Sequence, residues 1–315
     1  MSSIEAVILL GNGPNRLSKS SISWGDVLND LMRQTPHLKA ESHDKPFPLL
    51  FEQIAIHMER TNKGNDGSLK NIIGKKVSTL TPNAVHHRLL KLGVNNVLTT
   101  NYDYTLEKAA VAEGLNIFQH NATEKKYSLF RKRTLNNGIN VWHMHGEADS
   151  PRSITLGYGH YTSYISSLWQ HTMGHGTSDF IQGNSTVGKP PHPIAWIDVF
   201  LKNNLFIVGL GLGFEEVDLW WAITHKERMR NRFGNKVGKT VFYQFSSDGT
   251  VDAKGRSLLD LGIEVVLVEV DGEWDYYKGY MRILSDIHAR CNYKKHKKHQ
   301  DWVYHKKSSA TWLAR

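Results

Sequence analysis

Two short segments concentrate side chains that could do chemistry. Trp142-His143-Met144-His145-Gly146-Glu147 sets an imidazole directly before a glycine. An imidazole titrates near neutrality, so His145 is a candidate general acid or base. Alternation along a strand would place His143 and His145 on one face, which makes a metal pair conceivable. No third ligand stands nearby, and His143 is read instead as a hydrogen-bonded core residue. The second segment is Thr99-Thr100-Asn101-Tyr102-Asp103. Polar side chains packed into a strand end are costly unless they bond to something. Asp103 could cap a following helix, but capping does not account for the Thr-Thr-Asn before it.

Two glycine-rich turns accompany these segments. Gly11-Asn12-Gly13-Pro14-Asn15-Arg16-Leu17-Ser18 follows a first apolar run, and Gly209-Leu210-Gly211-Leu212-Gly213 follows a later one. Glycine lets backbone approach a ligand, and amides in such turns can hold phosphate. The first turn lacks the Gly-Lys-Ser/Thr of a P-loop and is not a regular G-x-G-x-x-G. Either turn alone could be a plain strand-to-helix connection. Asp218, just beyond the second, is read as capping or pairing on its own helix.

The elements that must position these residues are legible as apolar runs. Ala6–Leu10, Asn96–Thr100, Ile139–Met144, Leu205–Leu210, Thr240–Phe245 and Ile263–Val268 read as strands buried on both faces. Helical patterns lie between them at Asn83–Leu92, Tyr104–Glu113, Glu215–Arg232 and Tyr276–Arg290. The fold class is therefore α/β: a Rossmann-like, doubly wound, mostly parallel sheet. Segments about 22–80 and 160–193 interrupt the alternation. The first predicts helices at Trp24–Arg33 and Leu49–Arg60. The second predicts an aromatic helix through Tyr161, Tyr164 and Trp169, then a Gly- and Ser-rich loop over Gly174–Pro191. Both are read as insertions forming one helical subdomain over the sheet. Residues 1–290 form one catalytic unit on this reading, and 291–315 a basic, aromatic tail.

Composition bounds the alternatives. The 315 residues are 40% apolar and 22% charged, as in a folded globular protein. No apolar stretch approaches the ~20 residues of a membrane span, and the start of the chain is expected to be a buried strand rather than a leader. The single cysteine, Cys291, excludes an internal disulfide and a cysteine-rich zinc site. It fits a reducing compartment, so the expected location is cytoplasmic. The formal charge of +9 owes much to the tail, which contains YKKHKKHQDWVYHKK. Nucleic acid is a conceivable partner of such a run, but a solvated tail or one packed on a neighbouring subunit is preferred.

Taken in order, these segments resemble the sirtuin-like family from the first strand to about Val270. The likeness rests on the Gly-rich opening loop, Pro82 with His86, Arg88 and Leu89, Thr-Thr-Asn-Tyr-Asp with Leu106-Glu107, His145-Gly146, and the Gly209/Gly211 turn. His160 stands where the family has an aspartate before Tyr161. The four-cysteine zinc module of the deacylase sirtuins cannot exist here. The chain is more similar to the zinc-lacking sirtuin-like NAD hydrolases of bacterial anti-phage systems.

That resemblance implies cleavage of NAD+, as substrate rather than prosthetic group, to nicotinamide and ADP-ribose, with no metal. It implies that Asn101 binds the ribose and aligns a water, and that His145 is the general base. It implies that Gly11, Gly13, Gly209 and Gly211 bring amides to the diphosphate, with Thr100, Ser18 and Arg16 nearby. Asp103 would orient the Asn101 turn, and Gln244 would meet the adenosine ribose. Asn101 and His145 are thus expected to face each other across one sugar ring. An unregulated enzyme of this kind would poison its host, so gating by homo-oligomer formation or a partner protein is expected. A protein deacylase and a non-enzymatic nucleotide-binding subunit are the alternatives.

Overall fold

A computed structural model describes residues 4–22, 24–32, 45–119, 126–174, 194–272 and 275–291. The predicted loop through 175–191 and the tail from 292 onward lie outside these residues.

Eight strands form one sheet. They are β1 (Ala6–Leu10), β2 (Asn96–Thr99), β3 (Ile117–Gln119), β4 (Lys132–Leu135), β5 (Asn140–His143), β6 (Asn204–Val208), β7 (Thr240–Ser246) and β8 (Glu264–Glu269). Their order is β3-β4-β5-β2-β1-β6-β7-β8. The six strands from β5 to β8 are parallel, and β4 joins β5 antiparallel. All six predicted strands are present. The β3–β4 pair adds an edge that periodicity did not reveal.

Strict alternation explains why both faces need cover. Val7, Leu9, Leu98, Leu205 and Ile207 enter one core, while Ile8, Leu10, Val97, Phe206 and Val208 enter the other. The first core is closed by α6 (Tyr158–Gly174), α7 (Trp196–Lys202), α8 (Val217–Phe233) and α9 (Ala253–Asp260). The second is closed by α4 (Ala84–Leu90), α5 (Thr105–Ala112) and a last helix, α10, over residues 275–291. Cys291 packs at the edge of this second core.

A third core joins the helices of the first insertion: α1 (Trp24–Met32), α2 (Phe47–Arg60) and α3 (Asp66–Val77). Leu50, Ile54, Leu69 and Ile73 pack there with Tyr102, Tyr104, Ile154 and Leu156. These last four come from segments that follow β2 and β5. The insertion is thereby anchored over the carboxyl ends of the strands.

The chain leaves β1 toward β2 on one side and reaches β6 on the other. In a doubly wound sheet this reversal opens a crevice at the strands' carboxyl ends, where ligands bind. No helix among the described residues is long and apolar enough to cross a membrane.

Candidate functional site

A cavity of about 520 Å³ occupies that crevice. Its size falls within the range of small-molecule sites. Asn12, Gly13 and Arg16 line it from the loop after β1, Thr100 and Tyr102 from the end of β2, and His145 from the end of β5. Gly209, Gly211, Glu216 and Lys254 line the opposite wall, and Phe47, Pro48 and Tyr161 close it from the helical insertions.

The two glycine turns are glycine because they press on each other. Gly11 N donates to Val208 O at 3.0 Å, and Gly13 N to Gly209 O at 2.8 Å. A Cβ on Gly11 would lie 2.5 Å from Gly209 O, and one on Gly13 would lie 2.2 Å from the Tyr280 hydroxyl. Gly209 has φ +63, and its Cβ would meet Pro14 Cδ at 2.5 Å. The amides of Gly11 and Gly13, expected on a diphosphate, are instead committed to joining the loops, and Gly11 lies beneath the cavity wall. Gly211 differs. A Cβ there would meet nothing within 4 Å, and its carbonyl accepts from Lys254 Nζ at 2.6 Å. Lys254 and Arg16 bring positive charge to the cavity, which Glu215 and Glu216 also line.

His145 owes its place to a tight turn. β5 stops at His143, Met144 N donates to Thr99 O at 3.0 Å, and Gly146 takes φ +97. A Cβ on Gly146 would stand 2.4 Å from Ser153 O, so the position requires glycine. The turn also breaks the two-residue alternation, and the expectation that both histidines share a face fails for that reason. His143 is buried with Nε2 2.8 Å from Glu107 Oε1 and Nδ1 3.2 Å from Asn101 O. It is a satisfied core histidine.

His145 turns toward α8, with Nε2 2.7 Å from Asp218 Oδ2. This leaves Nδ1 as the ring nitrogen available to a ligand. Tyr161 and Tyr164 meet the imidazole edge to face, each with centroids 5.9 Å away. Burial disfavours the imidazolium. The charge and hydrogen bond of Asp218, with Glu216 beyond, outweigh burial and hold the His145 pKa above the ordinary imidazole value. Burial also pushes Glu216 up to about 7 despite the pull of His145. Asp218 is therefore neither a cap nor a partner on its own helix. An acidic residue in a first helical turn looks like a cap in sequence, and only the fold brings it to His145.

Asn101 sits beside the cavity without lining it. Its backbone N donates to Thr99 Oγ1 at 3.1 Å, and its Nδ2 donates to Gly11 O at 3.2 Å. With Asp103 it lines a separate pocket of about 20 Å³. Asn12 and Tyr102 line both spaces and form the partition. Tyr102 is pinned there by its hydroxyl, which donates to Thr155 O at 2.7 Å. Asn101 and His145 thus line different spaces and do not face each other over one cavity.

Asp103 is buried. Oδ1 accepts from Thr105 N at 2.9 Å and Oδ2 from Asn15 Nδ2 at 2.8 Å, so it does hold the turn into α5. Burial raises its pKa against these bonds. Asn15, fully buried, also donates to Asn12 Oδ1 at 2.9 Å and meets His86 Nε2 at 3.0 Å. Asn83 N donates to His86 Nδ1 at 3.1 Å. Burial lowers the His86 pKa to about 4, so the ring is neutral and its Nε2–H donates to Asn15. This polar chain fixes the opening loop against the Asn101 turn.

Ser18 does not reach the cavity, because its Oγ accepts from Asn83 Nδ2 at 2.9 Å. Gln244 closes the loop after β7 on Thr250 O at 3.1 Å and also stays outside. His160 accepts from Leu156 N at 3.1 Å and Gly157 N at 2.8 Å through Nδ1, and so sets the entry to α6. Among the described residues no group of three or more His, Cys, Asp or Glu side chains could hold a metal ion.

Comparison with known proteins agrees with this architecture. The NAD(+) hydrolase ThsA of Enterococcus faecium is 25% identical over 160 residues, which cover 50% of this chain and 31% of that protein. The match thus spans about a third of the relative's length. The profile of the SIR2-like domain matches residues 95–266, from the start of β2 through most of β8 and including Asn101, His145 and the second glycine turn. The chain therefore belongs to the SIR2-like domain family.

Proposed function

We propose that the chain is an NAD+ glycohydrolase, releasing nicotinamide and ADP-ribose. The observation that supports this most is the cavity of about 520 Å³ between two interlocked glycine turns, with His145 in its wall. Arg16 and Lys254 supply charge for a diphosphate, and Gly211 leaves room for one. Breaking the nicotinamide–ribose bond develops positive charge on the sugar, and rigid positioning with one admitted water lowers that barrier. His145 would accept the proton, and Thr100 lines the same space. The hydrolase name of the Enterococcus relative agrees with this reading.

Asn101 joins the chemistry only if its carboxamide leaves Gly11 O and the Asn12–Tyr102 partition shifts. We read this separation as the gated form, which suits an enzyme that must be silent until needed. Oligomer formation or a partner protein of the same system would trigger opening. The role would be that of an NAD+-depleting effector in bacterial anti-phage defence, acting in the cytoplasm. The same separation also favours a second reading, a regulatory chain that binds the dinucleotide without cleaving it.

A fluorogenic NAD+ analogue distinguishes the two. Wild type should release the fluorophore once the candidate partner is present. His145→Gln, which can still donate to Asp218, and Asn101→Ala should each lose about 10²–10⁴ of the rate while keeping the wild-type melting temperature within a few degrees. Saturable NAD+ binding without release of nicotinamide, with and without the candidate partner, would establish the second reading.

A further inference from the structure

We infer that Asp218 is a positioning residue for this reaction: it holds a proton on His145 Nε2 and so keeps Nδ1 as the proton-accepting atom at the cavity wall. The assignment rests on the hydrolase reading.

The geometry is specific. Asp218 is wholly buried in the first turn of α8, yet it makes no capping bond to that helix. Its Oδ2 lies 2.7 Å from His145 Nε2. Its Oδ1 is buried and finds no partner among the described residues. Taking a carboxylate out of water costs several kcal/mol, recovered only through its partner. The 17-residue helix gains no cap in return, so the hydrogen bond of Asp218 serves His145.

A carboxylate on one ring nitrogen decides which tautomer the other presents. With the proton fixed on Nε2, the Nδ1 lone pair is free. In the hydrolytic step, the bond from C1′ of the ribose to the nicotinamide nitrogen breaks, and its electron pair neutralises the pyridinium ring. The water oxygen bonds to C1′, Nδ1 takes one proton from that water, and the proton later passes to solvent. The products are nicotinamide, ADP-ribose and one proton.

The groups around His145 are Asp218 and Glu216 from the start of α8, Glu215 beside them, Tyr161 and Tyr164 from α6, and Tyr102 from the β2 turn. Only Asp218 among the acids forms a hydrogen bond with the imidazole. Glu216 is held instead by Gly213 N at 2.8 Å. The Asp218 charge favours the imidazolium, so the base form of His145 appears only as pH rises past its elevated pKa.

The test is Asp218→Asn, with Asp218→Glu as the conservative variant and His145→Gln as the inactive control. Nicotinamide release is followed against pH, and the ¹⁵N shifts of the His145 ring are recorded on the same samples. In wild type, Nε2 should carry the proton. Asp218→Asn should lose about 10²–10⁴ in kcat with KM little changed, as expected when an imidazole is left in the wrong tautomer. Its acid limb should move to lower pH, and Asp218→Glu should restore part of the rate. Full kcat and an unmoved limb in Asp218→Asn, beside an inactive His145→Gln, would overturn the positioning role and leave the hydrolase reading intact. If wild type releases no nicotinamide even with the candidate partner present, the hydrolase reading falls, and the nitrogen shifts still report whether Asp218 sets the tautomer. A proton on Nδ1 in wild type would overturn the assignment whatever the variants do.

Discussion

His143 and His145 stand two residues apart and each faces a buried carboxylate, yet the surroundings give them different work. Both nitrogens of His143 meet protein acceptors, Glu107 and the Asn101 carbonyl, and the ring belongs to the core. His145 gives one nitrogen to Asp218 and lines the cavity. Glu107 Oε2 and Asp218 Oδ1 are alike in being buried without a partner among the described residues. The carboxylate therefore does not mark the functional histidine. The second nitrogen does, according to whether the fold leaves it for a ligand.

The comparison breaks most visibly at His143. His143→Ala strands Glu107 in the core and should cost about 3–5 kcal/mol, read from urea unfolding. The rate per folded molecule should fall far less than in His145→Gln. A stable His143→Ala chain with no activity would reverse the two roles.

His86 sharpens the point, because it is buried and, among the described residues, its ring nitrogens meet Asn83 N and Asn15 Oδ1 rather than a carboxylate. Its folded pKa, about 4, lies below that of an unfolded imidazole. Its contribution is complete above about pH 6.5 and is lost as pH falls toward 4, a change of about 3 kcal/mol. His143 has the opposite sign: Glu107 raises its pKa against burial, so its contribution is full at low pH and is lost as pH climbs through that raised value. Stability measured against pH should fall less on the acid side in His86→Gln and less on the alkaline side in His143→Gln, where the raised His145 still contributes.

The smallest effects separate the glycines of the second turn. Gly209→Ala meets Pro14 with positive φ and should cost about 1–3 kcal/mol. Gly211→Ala has open space and should change stability by less than about 0.5 kcal/mol. Because Gly211 lines the cavity, its substitution should raise KM for NAD+. Equal melting temperatures for the two variants would contradict the interlock of the turns.

The parallel strands were legible because burial on both faces leaves runs such as Ala6–Leu10 with no polar position. The β3–β4 pair was not, since Lys132–Leu135 is short, charged and only partly buried, beside a three-residue edge strand. α7 was missed because all seven of its residues are buried, which erases the amphipathic period. α3 hid behind lysines and glycines within a region read only as helical. At the site, His145 and the glycine turns were visible as local sequence. The Asp218 contact was not, because it joins residues 73 positions apart. Nor could sequence reveal that the Asn101 carboxamide turns onto Gly11 O, a choice made by the packing of β1 against β2.

The interlock of Gly11 and Gly13 with Val208 and Gly209 has a consequence during synthesis. The two walls of the cavity are encoded about two-thirds of the chain apart, and the hydrogen bonds that join the two turns form only when both are present. β1 must also wait for β6 before its second edge is paired. A ribosome that has delivered only β1 through β5 therefore carries every residue of the Asn101 and His145 segments but no assembled pocket. On the hydrolase reading, a truncated translation product would lack the assembled cavity, which is complete only once the late strands are in place.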